Sequence, residues 1–138
     1  MAIQPYLFFE GRCEEAIEFY KKAVGAEVGM LMRWKDAPQK EQAMCQPGNE
    51  NNVMHASLTI NNARIMASDG RASGKPDFKG FSLSLDAKTE ADATRMFNAL
   101  SEGGEVIMPL GKTFFSPCFG MLTDKFGVSW MVYVEAAA

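Results

Sequence analysis

The chain has 138 residues, 47% of them hydrophobic and 22% charged, with a formal net charge of −3. That is the size of one domain with a real core, and the composition excludes intrinsic disorder. Acids and bases are interspersed, so there is no basic footprint for nucleic acid and no polybasic strip for a membrane surface.

The first predicted strand is IQPYLFF (3–9). The start of the chain lacks a basic segment and a long apolar run, so a signal peptide is not expected. A helix follows, with Ala16, Ile17, Tyr20, Ala23 and Val24 on one face. Glu14 and Glu15 open it, Lys21 and Lys22 close it, and Gly25 stops it, an order that matches the helix dipole. Strands are then predicted at 27–34, 53–60 and 63–69, the last two joined as a hairpin around Asn61-Asn62. Between them, residues 35–52 form a long polar loop rich in Pro, Gly and Asn, of the kind that serves as a lid or binding loop.

The pattern then starts again. GFSLSLD (80–86) reads as a strand, and Ala93, Met96, Phe97 and Leu100 make a helical stripe. That helix opens with Thr89 and Asp92 at capping-box spacing and stops at Gly103-Gly104. Strands follow at 105–109, 114–124 and 128–134, the last two joined by a turn with Gly127. Phe8 precedes Ala16 by the interval that separates Leu85 from Ala93. The chain is therefore read as an α+β protein of two tandem βαβββ modules, about 1–72 and about 78–136, within a single domain of residues 1–138. Each module is expected to form a curved mixed sheet beside a cleft, with its helix on the outer face.

Few residues carry obvious chemistry. Cys13, Cys45 and Cys118 are far apart and odd in number, which argues against a disulfide framework or zinc ribbon and for a reducing compartment. No stretch has the apolar length of a membrane span, and the expected location is cytoplasmic. Cys13 lies at a helix start, where the dipole lowers a thiol pKa, but no base accompanies it in sequence. His55 is the one histidine. It is a weak catalytic candidate, because no Asp or Cys stands at motif spacing. A hydrogen-bonded structural histidine is the plainer reading. SDGRASGKP (68–76) is not a phosphate loop: its glycines are one residue too close, and Pro76 replaces the magnesium-binding hydroxyl. Ten methionines are dispersed and suit core filling better than soft-metal binding.

The paired modules, GRCEEAIEFYKKAVGAE (11–27) and TDKFGVSWMV (123–132) together resemble the vicinal oxygen chelate superfamily of glyoxalases, bleomycin-resistance proteins and extradiol dioxygenases. HASLTI, ARIMASD and SGKPDFKGFSLSLD add a resemblance to its PhnB-like subgroup, often labelled a demethylubiquinone methyltransferase domain. The resemblance implies four metal-ligand positions, which fall near Pro5 (with Gln4 beside it), Met66, Phe81 and Met131. None is a hard ligand, so neither a metal at that site nor another cofactor is expected. Period-2 alternation puts Leu7, Phe9, Met66, Phe81, Leu83, Met131 and Tyr133 on the same faces. With His55 and Trp130 they make the expected ligand cleft, although core packing is the commoner role of such side chains.

The preferred function is a metal-free homodimer that binds a small organic molecule. Whether it is an enzyme is left open, with metal-dependent chemistry of the usual superfamily kind disfavoured. One alternative is a lyase, isomerase or dioxygenase with a displaced metal site drawn from His55, Asp69, Glu10 and Glu105. The other is a non-catalytic structural or regulatory dimer.

Overall fold

The structure is a computed structural model that describes residues 2–136. The chain divides between Pro76 and Asp77 into two compact units. The first contains β1 (Tyr6–Phe8), α1 (Cys13–Val24), β2 (Glu27–Arg33), α2 (Gln39–Gln42), β3 (Val53–Ile60) and β4 (Ala63–Ser68). The second contains β5 (Leu83–Ala87), α3 (Glu90–Ser101), β6 (Glu105–Gly111), β7 (Cys118–Thr123) and β8 (Ser129–Val134). Each unit has one open four-stranded sheet, ordered β1-β4-β3-β2 and β5-β8-β7-β6. In both, the first strand runs parallel to the last and the other pairs are antiparallel. This is βαβββ written twice, and the fold is α+β with mixed sheets, as the repeat predicts. Among the described residues, no helix is long and apolar enough to cross a membrane.

The helices follow from their periodicity. Cys13, Ala16, Ile17, Tyr20 and Ala23 are the buried stripe of α1, and Val24 sits half-buried at its rim. Each large side chain fully buried in such a stripe contributes about 1.5–3 kcal/mol. Gly25 ends the helix in a left-handed conformation (φ 68°), and its N–H donates to the Tyr20 carbonyl. The start of α1 is held from a distance. The Cys13 N–H donates to Asp69 Oδ1 at 2.8 Å, and Asp69 Oδ2 accepts the Val53 N–H at 2.7 Å. α3 is capped locally, by Thr89 Oγ1 accepting the Asp92 N–H at 3.1 Å, and buries Ala93, Met96, Phe97 and Leu100.

Both hairpins form. Asn61 and Asn62 adopt φ of 49° and 66°, the left-handed pair that a two-residue turn with matching twist requires. The β7–β8 turn is organised by Asp124. Its Oδ1 accepts the N–H groups of Phe126 and Val128 at 2.9 and 3.0 Å, and its Oδ2 accepts Trp130 Nε1–H at 2.9 Å.

Two expectations change. Residues 114–117 are a turn and not strand: Thr113 Oγ1 accepts the N–H groups of Phe115 and Ser116 and draws the chain out of the ladder. The loop over residues 35–52 is locally structured. A 3-10 turn (Trp34–Asp36) leads into α2, and Gln42 Nε2 donates to the carbonyls of Lys35 and Ala37.

Candidate functional site

Strand register decides which side chains share a face. In the first unit Tyr6 pairs with Met66, and Met66 pairs with Ser57. Alternation places Phe8 with Tyr6 and His55 with Ser57. The opposite face carries Leu7, Ala67 and Ala56, with Leu58 and Ile65, and it meets α1. Phe9 fixes the direction: it is buried, and its ring lies 6.1 Å from that of Tyr20 on α1.

The register corrects the expected cleft. Leu7 and Phe9 are 2% and 1% exposed, on the helix side of the sheet, while Phe8 is 54% exposed. The equal spacing of Phe8 and Leu85 from their helices misleads, because Leu85 is 4% exposed and faces inward. The connections from strand to helix differ, the first turning through Glu10 (φ 52°) and Gly11 (φ 105°). A parity difference of one residue exchanges every side chain between faces.

In the second unit Leu83 pairs with Trp130, and Leu85 with Val132. Val132 also pairs with Gly120, where an added Cβ would lie 2.8 Å from Phe97 of α3. These residues therefore face the helix. Trp130 is 2% exposed and is tied to Asp124, so Trp130, and by register Leu83, serve the core and not an open cleft. Met131 and Tyr133 lie on the helix-free face, with Met121 and Phe119 as their β7 partners. Phe81 precedes β5 and is 45% exposed. Of the nine predicted cleft residues, His55 and Met66 share the helix-free face of the first unit, and Met131 and Tyr133 that of the second.

Sequence reading missed the residues that give the first face its character. The Tyr6 hydroxyl and His55 Nδ1 are 3.0 Å apart, with ring centroids at 5.5 Å. Phe8 lies beside them, its ring centroid 4.9 Å from that of Tyr6. Counting alternation back from Met66 across the parallel pair would have found Tyr6. The 49-residue separation between Tyr6 and His55 hides their contact. In the second unit Phe119 stacks edge-on with Phe115 at 5.0 Å.

The donor set does not fit a hard divalent metal. Tyr6, not Pro5, is the register partner of Met66, and Ser84, not Phe81, is that of Met131. The first unit's pair offers a phenol and a thioether and the second unit's pair a hydroxyl and a thioether, and neither pair supplies the imidazole or carboxylate donors that such an ion needs. The members of the displaced set that lie in the first unit are engaged elsewhere. His55 is bound to Tyr6, and Asp69 holds the start of α1. Glu10 accepts the Arg71 N–H and the Ser73 hydroxyl, and Glu105 opens β6 opposite Thr123 of β7. Among the described residues no three His, Cys, Asp or Glu side chains converge as a metal site.

Cys13 also departs from expectation. Burial, then the Asp69 carboxylate and then Glu14, push its thiol up to about 12. The helix dipole is outweighed, and the residue is a core side chain and not a nucleophile.

A family model described as 3-demethylubiquinone-9 3-methyltransferase matches residues 1–133. Protein YjdN of Escherichia coli (strain K12) is 36% identical over 140 residues, covering 97% of this chain and 95% of that one. The solved structure of PA1353 from Pseudomonas aeruginosa is 40% identical, covers 98% of each chain and has a TM-score of 0.84. A Bacillus cereus protein described as a putative 3-demethylubiquinone-9 3-methyltransferase, PhnB protein, is 32% identical over 97% of this chain and 99% of its own, with a TM-score of 0.79. Two structures described as a glyoxalase-related enzyme and a glyoxylase/bleomycin resistance protein/dioxygenase domain share the fold, at 14% and 12% identity and TM-scores of 0.64 and 0.62.

Proposed function

The chain belongs to the 3-demethylubiquinone-9 3-methyltransferase family, the PhnB-like group of the vicinal oxygen chelate superfamily, and from that premise we propose that it is a small-molecule-binding protein. It holds a flat, largely apolar ligand without a metal, acts as a homodimer and works in the cytoplasm.

The observation that carries this reading is the helix-free face of the first unit, where Tyr6 touches both the ring of Phe8 and the single imidazole of the chain and has Met66 as its register partner. Aromatic and thioether groups around one polar pair suit a planar organic molecule. Exposed apolar side chains on the terminal strands favour self-association: Val28 and Met30 on β2, and Val106, Ile107 and Met108 on β6, are 40–54% exposed.

Methyl transfer, which the family description names, requires a nucleotide-type methyl donor, and the residues do not fit one. Neither strand-to-helix turn, Phe9–Arg12 or Lys88–Thr89, is glycine-rich. The strand order is not that of a doubly wound parallel sheet. No step is assigned to such a donor.

Native mass spectrometry of the protein as purified tests the reading. A dimer without divalent metal, alone or carrying an organic molecule, is the expected spectrum. One divalent ion per subunit, or a monomer at micromolar concentration, overturns it.

A further inference from the structure

We propose that the Tyr6–His55 pair is the polar anchor of the ligand site and that it selects an aromatic molecule bearing an ionisable hydroxyl, a phenol. The inference deepens the small-molecule-binding reading and rests on it.

Among the described residues, every buried side-chain nitrogen and oxygen has a hydrogen-bond partner. The hydrogen bond of His55 is made through Nδ1, so Nε2 lies at the accessible surface. The pair has two arrangements. If the Tyr6 hydroxyl donates to Nδ1, Nε2 carries the proton and donates outward. If Nδ1–H donates to the phenol oxygen, Nε2 is a bare acceptor. The same two residues thus meet a neutral phenol, which donates, and a phenolate, which accepts. A simple ether offers only a weak acceptor and gains less.

The neighbours dictate the rest of the ligand. The ring of Phe8 is half-exposed and tilted 33° from that of Tyr6, and Met66 is the register partner of Tyr6. A half-exposed ring on the same sheet face as a thioether favours an aromatic body. The anchor is also preorganised, since β1 and β4 hold Tyr6 in register while β3 carries His55 between β2 and β4.

Two matched probes separate the anchor from the apolar face: 4-nitrophenol, and 4-nitroanisole with the same ring and a methylated oxygen. Affinities are measured by calorimetry on the full chain. The wild-type protein is expected to bind the phenol roughly 3- to 10-fold more tightly than the ether, the range of one hydrogen bond. His55→Leu should abolish that preference, and Tyr6→Phe, which leaves Nε2 in place but unties the imidazole from its partner, should reduce it; both should leave ether binding within about 2-fold. Phe8→Ala should weaken both probes alike. A single cooperative thermal transition in Tyr6→Phe, shifted by no more than the loss of one hydrogen bond allows, confirms an intact fold. Equal wild-type affinities for both probes, or a preference that survives His55→Leu or is undiminished in Tyr6→Phe, overturns the anchor and leaves the apolar binding reading standing. Failure of both probes to bind at millimolar concentration overturns the two together.

Discussion

Replacing Asp124 by Asn is the sharpest available probe of what holds the second unit together. The carboxylate is 3% exposed and accepts three N–H groups, two from backbone through Oδ1 and the indole N–H of Trp130 through Oδ2. In Asp124→Asn the amide oxygen can still accept from Phe126 and Val128, but its NH2 group then faces another donor. One charge-assisted hydrogen bond is lost, roughly 1.5–3 kcal/mol. Asp124→Ala strands all three donors and is expected to cost about 3–5 kcal/mol. Trp130→Phe removes the indole donor, so Asp124→Asn should be milder in that background. A double-mutant cycle by urea unfolding, followed by far-UV circular dichroism, should return a coupling of about 1–2 kcal/mol. Additivity within about 0.5 kcal/mol would refute the assignment of the Trp130 contact as an energetic link between turn and core.

Three further outcomes follow from the same geometry. Gly120→Ala places a Cβ 2.8 Å from Phe97 and 3.0 Å from Leu110; it should lower stability by about 1–3 kcal/mol, and an unchanged melting point would mean that β7 packs more loosely on α3 than described. Cys13 and Cys118 are buried and Cys45 is partly exposed; Ellman's reagent at about pH 8 should label Cys45 first and the other two only in urea, and rapid labelling of Cys13 would contradict its raised pKa. The hydrogen bond from Arg33 holds the Glu14 carboxyl below its ordinary 4.5, so its contribution is fully present above that value and is lost as pH falls through the lower, folded one. Glu14 is 58% exposed, so the effect is screened; Glu14→Gln should cost at most about 1 kcal/mol at neutral pH and nothing in strong acid, and a gap that persists in acid would rule out the ion pair as its source.

The parts of the fold written in local patterns were legible in the sequence. The stripe of α3 is buried residue for residue, and Asn61-Asn62 turns the chain as its residue types require. The repeat itself, read from helix stripes and stop signals, gives the correct module. The candidate site was legible only in part, because a face depends on parity. Parity is set in the strand-to-helix connection, where Glu10 and Gly11 adopt positive φ that no periodicity announces. That is why Leu7 and Phe9 were expected in the ligand cleft and Phe8 was overlooked. Tyr6 was hidden for another reason: its partners, Met66 in register and His55 by hydrogen bond, lie far away in the chain.

The parallel closure of each sheet has a consequence for synthesis. β1 leaves the ribosome before the strands it joins, and its ladder partner spans Met66–Ser68. Until that segment emerges, Leu7 and Phe9 have no sheet to join, although both end up almost wholly buried. The antiparallel run β2-β3-β4 can assemble from near neighbours, and β1 must then be threaded alongside β4, because distant pairing is the slow step. The strand made first is thus the last to be placed, and the second unit repeats this order with β5 and β8. Nascent chains stalled at Asn62 should be cut readily by protease within residues 3–26. Those stalled with residues through Gly74 outside the exit tunnel should resist; equal sensitivity would show that β1 finds a hold earlier than its ladder allows.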